Sequence, residues 1–360
     1  MKTSDRIHAL RKLAFEERSF DAFLVGNEKN LFYLTGTPGA FCLLIPKTGE
    51  NTLFVYGTNY EQTKAEAKGF KVDLLKRGEE LSDRFAPMLK AAKVEKIAVD
   101  ALSHDFYRLL AKGFRGRARM KVQSGLIWKL RRVKDEEEIR LMRKAGTITS
   151  AGMQAAYETI RPGVTEIEVA AEIEYAMRKK GGWGTGFETI VASGVRSAYP
   201  HGGCANRKIR AGDLVVVDIG SIYEYYLSDM TRTIVAGKSS EKQAKMYEIV
   251  KTAQKKAHQA IKAGARGKDI DLAARKTLED AGYGPYFVHS LGHGVGLDIH
   301  EPPGLGAASK DVLVACNVVT NEPGIYIPDF GGVRIEDTVL VGEDKAEKLT
   351  KGPYTLEPEK

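Results

Sequence analysis

The sequence contains few of the features that mark secreted or membrane proteins. Its 360 residues include three cysteines, Cys42, Cys204 and Cys316, which are far apart and odd in number. This pattern argues against a disulfide framework and predicts reduced thiols in a cytoplasmic protein. The first twenty residues carry charges throughout and lack the apolar stretch of a signal peptide. No apolar run approaches the length of a membrane span, so we expect no membrane partner.

The chain also lacks a concentrated patch of positive charge. Its formal net charge is +8 and its isoelectric point is near 9.1, which raises the question of a nucleic-acid partner. The lysines and arginines, however, are spread along helical stretches such as residues 255–269 and are mixed with acids. We therefore expect no nucleic-acid partner. The composition, 43% hydrophobic and 28% charged, predicts a globular protein of two domains.

Residues 1–125 are predicted to form the first domain, a small α/β unit. Short apolar runs typical of strands, such as residues 21–26, 41–46 and 52–56, alternate with helical stretches. This alternation favours a sheet that is covered by helices. Nothing in the segment gathers the residue types of a catalytic site.

A linker and a long connecting helix are predicted over residues 126–160. Acidic residues crowd the first turn of this helix, where they stabilise the helix dipole, and apolar residues continue at helical spacing to about residue 160. We place the domain boundary just before this helix. Residues 161–360 then form the second domain.

The second domain carries a weak internal repeat. Residues 160–182 and 261–283 each begin with a glycine-containing turn, continue as an amphipathic helix and end at a glycine. Each copy is followed by strand-like sequence that supplies histidines, His201 after the first copy and His289 with His293 after the second. Two similar α/β halves that face each other would bring these histidines to one central cleft.

The stretch from His289 to Glu301, HSLGHGVGLDIHE, concentrates residues that bind metals or substrates. Three of the seven histidines of the chain lie in it among glycines, which allow a ligand to approach the backbone closely. A glycine-rich turn with ordinary hydrogen-bonded histidines is the alternative. Apolar, β-forming runs on both sides carry acids that are costly to bury unless a partner compensates their charge. These acids are Asp218, Asp229, Glu322 and Glu336.

Four such acids together with His293 predict a site for two divalent cations. A closed single-zinc site takes four ligands, so five donors with bridging carboxylates suit a pair of ions that keeps positions open for water. Oxygen-rich ligation with one imidazole favours Mn²⁺, Co²⁺, Zn²⁺ or Fe²⁺ over copper. A water held by two such ions loses a proton near neutral pH and becomes a nucleophile.

These motifs resemble those of the proline-specific metallopeptidases of the pita-bread fold, the prolidases and Xaa-Pro aminopeptidases. The contexts VVVDIG, SDMTRT, GHGVGL, NEPGIY and RIEDT hold, in this order, Asp218, Asp229, His293, Glu322 and Glu336. Residues 27–46 are similar to the N-terminal domain of the creatinase and prolidase families. The resemblance implies an α/β (α+β) fold, in which a small N-terminal domain precedes a pita-bread domain with pseudo-twofold internal duplication.

The resemblance also implies a role for each metal ligand. Asp218 would bind one ion, and Asp229 and Glu336 would bridge both ions. His293 and Glu322 would complete the second ion. Glu322 would also take the proton of the bridging water, which leaves a hydroxide to attack the scissile carbonyl.

Four further residues match family positions beside the ligands. His201, in AYPHGG, would contact the substrate near the scissile bond. His300, in IHE, would donate a hydrogen bond to the substrate carbonyl or the tetrahedral intermediate. His289 and Arg334 would support the ligands from behind, with Arg334 holding a ligand carboxylate.

The expected activity is that of an Xaa-Pro aminopeptidase on short peptides with proline in second position. The alternative is an Xaa-Pro dipeptidase, a prolidase. Strict dipeptidases of the family often place an arginine shortly after the His-Glu pair to bind the substrate carboxylate, but here Gly304 and Ala308 follow, with only Lys310 as a cation. A metal-free creatinase-like hydrolase and a non-catalytic peptidase-like binding protein are further alternatives, and both usually lack this ligand set.

Two expectations concern the substrate pocket and assembly. The amide before proline has no N–H, so a metal pair that polarises the carbonyl suits this bond better than an enzyme that binds that N–H. The proline ring is expected to pack on an apolar or aromatic wall, with Tyr226, Tyr326 and Phe287 as candidates. The family commonly forms dimers, so we expect a homodimer.

Overall fold

The structure is a computed structural model and describes residues 2–79, 81–114 and 118–358. It divides into two compact units, Met1–Arg131 and Arg132–Lys360, which are described one after the other. Among the described residues, none of the helices combines the length and the apolar character needed to cross a membrane.

The first unit is built on one mixed sheet. Its elements are α1 (Thr3–Arg11), a π-helical turn (Lys12–Glu16), β1 (Ala22–Val25), α2 (Glu28–Thr35), β2 (Cys42–Pro46), β3 (Thr52–Tyr56), α3 (Gly57–Glu66), β4 (Lys71–Leu75), α4 (Leu81–Ala91), β5 (Lys96–Val99), α5 (His104–Gly113), β6 (Arg119–Val122) and α6 (Ser124–Arg131). The strand order is β4-β3-β2-β1-β5-β6. Strand β2 is antiparallel to β1 and to β3, whereas the pairs β3–β4, β1–β5 and β5–β6 are parallel. The strands predicted at residues 21–26, 41–46 and 52–56 are confirmed as β1, β2 and β3.

Helices pack on this sheet because its strands are apolar. Leu24 of β1 and Phe54 of β3 are fully buried, and Phe85 of α4 and Leu110 of α5 cover them within one core. The rings of Phe54 and Phe85 meet edge to face with centroids 4.7 Å apart, a favourable aromatic geometry. The predicted sheet with covering helices is therefore confirmed for this unit.

The second unit contains more strands and four long helices among its described residues. Its elements are α7 (Glu136–Thr159), α8 (Glu166–Lys179), β7 (Gly184–Thr185), β8 (Ile190–Ser193), a 3-10 helix (Gly194–Ala198), β9 (Leu214–Ile219), β10 (Ser221–Tyr223), β11 (Tyr226–Leu227), β12 (Met230–Val235), α9 (Glu241–Ala260), α10 (Gly267–Asp280), a 3-10 helix (Gly284–Tyr286), β13 (Gly292–Gly294), β14 (Glu301–Leu305), β15 (Val318–Asn321), β16 (Gly324–Ile327), β17 (Gly331–Arg334), β18 (Asp337–Val341) and β19 (Ala346–Lys348). The main sheets have the orders β12-β9-β8 and β14-β13-β15-β18-β19.

Helix α7 confirms the long helix predicted from periodicity. Asp135 is its N-cap and accepts hydrogen bonds from the N–H groups of Glu137 and Glu138, while the Glu138 side chain accepts from the Asp135 N–H. This reciprocal capping box fixes the start of the helix. Apolar residues at helical spacing, including Ile139 and Met142, are buried.

The second unit consists of two halves, each with its own core. The first core joins α7 and α8 to β8, β9 and β12, and the second joins α9 and α10 to the five-stranded sheet. The turn between the two helices of each half makes the same kind of backbone hydrogen bond. Gly163 N donates to Ile209 O at 2.9 Å, and Gly264 N donates to Leu313 O at 2.8 Å. The internal repeat seen in the sequence is therefore a structural duplication.

Hydrogen bonds that join residues 229–231, at the start of β12, to residues 336–338, at the start of β18, connect the two halves. Glu336 N donates to Thr231 O at 3.0 Å. Asp229 N donates to Thr338 Oγ1 at 2.9 Å, and this hydroxyl donates back to Asp229 O at 2.8 Å. The acids Asp229 and Glu336 are thus held side by side where the halves meet.

Candidate metal centre

The five predicted metal ligands lie at the ends and edges of strands that face one cavity. Asp218 is near the end of β9, and Asp229 immediately precedes β12, which pairs with β9. His293 is the middle residue of β13, Glu322 follows β15, and Glu336 lies between β17 and β18. The strands are apolar because they form the cores of the two halves, and the acids fall where each strand leaves its core.

The cavity has a volume of about 500 Å³ and is lined by all five of these side chains. One ligand atom from each of Asp229, His293 and Glu336 lies within 4.8 Å of the others. Glu322 joins this group through His293, because its Oε1 is 3.3 Å from His293 Nε2. Asp218 lines the same cavity and is held by Arg334.

The His293 ring is oriented by its own backbone. Its Nδ1 lies 3.0 Å from Gly294 O, which is an acceptor, so Nδ1 carries a proton and Nε2 faces the carboxylates. Nε2 is 3.7 Å from Asp229 Oδ2 in addition to its contact with Glu322. This is the orientation that a metal-binding imidazole needs. The glycine at position 292 is required here, since a Cβ would collide with the carbonyl oxygen of Thr320.

The pKa shifts in the cavity indicate excess negative charge. Burial, followed by the charge of Asp218, raises the pKa of Asp229 well above its usual value. Burial and the charge of Asp229 do the same to the pKa of Glu336. Burial would lower the pKa of His293, but its hydrogen bond to Glu322 and the charges of Glu322 and Asp229 outweigh that effect and raise it. Each shift favours an added positive charge.

The donor set fits divalent cations. The Oδ1 atoms of Asp218 and Asp229 are buried and accept no hydrogen bond from any of the described residues. Buried carboxylate oxygens are normally paired or bound to metal, so these two oxygens are in the state expected of ligands. Among the described residues that line the cavity, Arg334 alone has a fixed positive charge. A divalent cation would supply the charge that the four carboxylates lack.

Arg334 is buried and joins several parts of the site. Its Nη2 donates to Asp218 Oδ2 at 2.6 Å, and its Nη1 donates to Tyr326 OH at 2.7 Å. Nη1 also lies 3.3 Å from Pro200 O, and Nε donates to Thr231 Oγ1 at 3.0 Å. The guanidinium fixes the orientation of the Asp218 carboxylate and leaves its Oδ1 without a hydrogen bond from the described residues.

His289 is fixed by the same network. Its Nδ1 lies 2.8 Å from Ser290 O and its Nε2 lies 2.9 Å from Tyr326 OH. Because Tyr326 accepts from Arg334, its hydroxyl proton is free to go to His289 Nε2, and the Nδ1 proton then goes to the carbonyl. Burial lowers the pKa of His289, consistent with this neutral form. His289 thus supports Tyr326 and Arg334 and does not approach the carboxylates in the contacts described.

His201 and His300 present their rings at the rim of the cavity. Both residues are exposed, and both line the cavity. The His300 ring lies 4.3 Å from the His293 ring, measured between centroids. These positions allow both rings to contact a bound peptide.

The three aromatic candidates for the proline wall are not among the residues that line the cavity. Tyr226 is buried away from the cavity, where its hydroxyl donates to Glu138 Oε1 at 2.9 Å. Phe287 is also buried and packs against the guanidinium of Arg275, and Tyr326 is occupied by His289 and Arg334. The apolar side chains that do line the cavity are Phe187, Ile190, Pro200 and Ile299. Their apolar context is ordinary for a core, so no sequence pattern distinguishes them from core residues.

The sequence analysis also did not predict a buried ion pair next to His300 in the chain. Lys134 Nζ lies 2.5 Å from Glu301 Oε1, and both side chains are only 1% exposed. A Cβ on Gly296 would collide with the Glu301 carboxylate, which explains the second glycine of the HGVG motif. Lys134 reads as a surface lysine before a helix, and only its place directly ahead of the Asp135 cap could have drawn attention to it.

Comparison with known proteins supplies a family for this site. Residues 140–343 match metallopeptidase family M24, and residues 6–133 match the creatinase/prolidase N-terminal domain. The Xaa-Pro dipeptidase of Pyrococcus furiosus is 42% identical over 352 residues, which cover 96% of this chain and 98% of that protein.

Solved structures with similar sequences share the fold. An Xaa-Pro dipeptidase from Bacillus anthracis has a TM-score of 0.94 and 38% identity, covering 99% of both chains. An X-Pro aminopeptidase from Thermotoga maritima has a TM-score of 0.86 and 35% identity, covering 94% of this chain and 98% of that one. The predicted architecture, a creatinase/prolidase-like domain followed by a pita-bread domain, is confirmed by these matches.

Proposed function

Because the chain belongs to metallopeptidase family M24, we propose that it hydrolyses Xaa-Pro dipeptides with the help of two divalent metal ions. The relatives that carry the name Xaa-Pro dipeptidase support this alternative over the aminopeptidase activity that the sequence analysis placed first. The observation that carries the proposal is the convergence of four carboxylates and one imidazole on one cavity of about 500 Å³.

The metal ligands in this proposal are Asp218, Asp229, His293, Glu322 and Glu336. Mn²⁺, Co²⁺ and Zn²⁺ all suit a set that is rich in carboxylate oxygens with one imidazole. When bound, such ions supply an acidified water and an electrophile for the scissile carbonyl. The carboxylates of Asp229 and Glu336, which lie where the halves meet and within 4.8 Å of each other, would be the ones shared between the ions.

Glu322, which is also a proposed ligand, and the residues beside the ligands would transfer protons and orient groups. Glu322 lines the cavity with its Oε1 3.3 Å from His293 Nε2, and its carboxylate would accept the proton of the attacking water. His201 and His300 are exposed at the rim and can donate hydrogen bonds to the oxygen on which charge develops. Arg334 and His289 hold Asp218 and Tyr326 in place.

The apolar part of the cavity offers a surface for the proline ring. Phe187, Ile190 and Ile299 line the cavity together with the ligands. Packing of a pyrrolidine ring on such a surface gains free energy from the apolar area removed from water. The missing N–H of the Xaa-Pro amide leaves no donor to satisfy, so an apolar wall next to this bond costs no hydrogen bond.

One observation keeps the aminopeptidase as a second candidate. Arg334 is engaged with Asp218, and Gly304, where the family's dipeptidases often place an arginine, lines the cavity with no side chain. Among the described residues that line the cavity, none is a free cation for the terminal carboxylate of a dipeptide. The Thermotoga maritima relative in the comparison is named an X-Pro aminopeptidase.

A matched pair of substrates tests the proposal. The protein is stripped of metal, reloaded with Mn²⁺, Co²⁺ or Zn²⁺, and assayed with Ala-Pro, Ala-Pro-Ala and the control Ala-Ala. We expect kcat/KM for Ala-Pro to exceed that for Ala-Pro-Ala by at least about tenfold, a difference of about 1.4 kcal/mol. A preference for the tripeptide would establish the aminopeptidase instead. Failure of every metal form to cleave either proline substrate would refute both.

A further inference from the structure

His201 lies in an irregular segment and not on a strand. The segment runs from Ser193, the last residue of β8, through a 3-10 helix and the loop that follows it, to Ala205. The His201 side chain is exposed at the cavity rim. A loop residue in such a position is held only as firmly as its backbone is held.

Glu166 connects both ends of this segment to the first turn of α8. The side chain of Glu166 is completely buried. Its Oε1 accepts the N–H of Ser193 at 2.8 Å and the hydroxyl of Ser193 at 2.7 Å, and its Oε2 accepts the N–H of Ala205 at 2.8 Å. A buried carboxylate is tolerated only with such donors, and its place at a helix N-terminus adds a favourable dipole.

Two arginines hold the peptide groups on either side of His201. Arg196 pairs with Glu166 through its Nε, 3.3 Å from Oε2, and donates from Nη2 to Gly202 O at 2.7 Å. Arg334, which is paired with Asp218, lies 3.3 Å from Pro200 O. The carbonyl groups of Pro200 and Gly202, the two neighbours of His201, are thus each bound by an arginine that is itself paired with a carboxylate.

The second half of the unit contains a similar acid and arginine. Asp271 of α10 is 1% exposed, pairs with Arg275 and accepts the N–H of Leu291 at 3.1 Å. Arg275 donates to Phe287 O at 3.1 Å and to His289 O at 3.0 Å. Each half therefore uses a buried acid of its second helix, with an arginine, to hold the segment that carries a histidine of the cavity.

We propose that Glu166 and Arg196 are positioning residues, which hold His201 at the distance from the scissile bond that the reaction requires. The inference rests on the proposed peptidase function, because it needs His201 to contact the substrate. Neither residue lines the cavity, so neither touches the substrate. Their effect on turnover is therefore expressed only through His201.

Double-variant kinetics test this coupling. Glu166→Gln keeps the shape of the side chain but places an amide N–H₂ against donors, so the tie to Ser193 or to Ala205 is lost. Since a misplacement of about 1 Å can cost roughly 10²-fold, we expect kcat on Ala-Pro to fall roughly 10- to 10²-fold with bound Mn²⁺ unchanged. His201→Ala should lose roughly 10²-fold. The double variant should match His201→Ala within about twofold.

Matched controls separate positioning from general damage. Glu168→Gln makes the same change two residues later on α8, at an exposed capping-box position whose carboxylate bonds Thr165 and not the His201 segment, and should leave kcat unchanged. Arg196→Met keeps the aliphatic stem and loses only the polar ties, so it provides a second variant if Glu166→Gln folds poorly. Hydrogen exchange of the backbone N–H groups of residues 199 and 201–203 in the metal-free protein should be at least about tenfold faster in Glu166→Gln and Arg196→Met than in Glu168→Gln.

The outcomes distinguish this inference from the proposed function. If the wild-type enzyme cleaves Ala-Pro but Glu166→Gln and Arg196→Met keep the full rate, the positioning role is overturned and the peptidase stands. A double variant whose loss equals the product of the single losses would also overturn it, because Glu166 would then act independently of His201. If the wild type cleaves no proline substrate, the proposed function is refuted. The exchange rates still decide whether Glu166 and Arg196 hold the segment that carries His201.

Discussion

The two units of the molecule bury carboxylates in opposite ways. In the first unit Asp100 is buried and accepts hydrogen bonds from the N–H groups of Gly26 and Asn27 and from Asn30 Nδ2. In the second unit four carboxylates share one cavity, and two of their oxygens accept no hydrogen bond from the described residues. The first carboxylate is surrounded by donors, whereas the second group lacks them and a cation would compensate its charge. This difference is the reason for placing the proposed metal site in the second unit.

Asp337 and Glu336, which are adjacent in the chain, show the same contrast between a carboxylate with paired charges and one without. Asp337 is fully buried, pairs with Arg232 at 2.9 Å and contacts Lys348 and Tyr354. Burial would raise its pKa, but Arg232 and Lys348 outweigh that effect and lower it. Glu336 is equally buried, yet its pKa is raised by burial and by Asp229. Burial alone therefore does not define a ligand, and the sign of the surrounding charge does.

The largest effect is expected when one of the carboxylates proposed to be shared between the metal ions is removed. Asp229→Ala and Glu336→Ala should each lower turnover on Ala-Pro by about 10³-fold or more, since metal ions contribute several kcal/mol of transition-state stabilisation. Metal content, measured by atomic emission after dialysis, should fall below two ions per chain. A variant that retains both ions and the wild-type rate would contradict the assignment.

Asp337→Asn and Glu336→Gln should affect the metal-free protein differently. Loss of the Asp337 charge leaves Arg232 buried without its counter-ion, which typically costs about 3–5 kcal/mol of unfolding free energy. Glu336→Gln removes an uncompensated charge and keeps the acceptor for Thr231, whose hydroxyl lies 2.6 Å from Oε2. We expect no loss of stability from it. Denaturant unfolding in the presence of a chelator measures both, and equal losses would show that the two acids are not different in kind.

The sequence predicted which acids and which histidine would line one cavity, because they interrupt strong local patterns. Asp218 and Glu336 stand in runs of β-forming residues, where an acid is costly, and the glycines around His293 have no use in a strand. The same reasoning identified α7, since the Asp135 cap and the apolar spacing are both local. Motif resemblance then supplied the pairing of distant acids, which no local pattern contains.

Contacts between distant segments were not predictable in this way. Tyr226 and Tyr326 were candidates for the wall that packs on proline, but both are buried, and their hydroxyls are hydrogen-bonded to Glu138 and to Arg334. Phe187 and Ile299 line the cavity although nothing in their neighbours separates them from core residues. Glu166 reads as an ordinary first-turn acid, and its partners lie up to 39 residues away.

Asp100 predicts a pH effect that is confined to the first unit. Burial, partly offset by its hydrogen-bond donors, raises the pKa of Asp100 from 3.8 to about 6. The folded chain then binds the proton more tightly than the unfolded chain, so the contribution to stability is complete below about pH 4 and is lost as the pH rises through about 6. The loss should amount to up to about 3 kcal/mol. Unfolding of the metal-free protein from pH 4 to 7, compared with Asp100→Asn, measures it; curves that stay parallel would contradict the raised pKa.

The smallest effect is expected where an ion pair faces water. Arg143 and Glu347 form two contacts, at 3.1 and 2.7 Å, but their side chains are 49% and 52% exposed. Solvent screens such a pair and each side chain loses freedom in it, so Arg143→Gln should cost only about 0.2–1 kcal/mol at low salt and less at high salt, with kcat on Ala-Pro unchanged. Lys134 and Glu301 have a comparable separation in the interior, where the same loss of one partner leaves a buried charge. If Arg143→Gln proved as costly as Asp337→Asn, burial could not be the property that decides how much the loss of one partner of an ion pair costs in this protein.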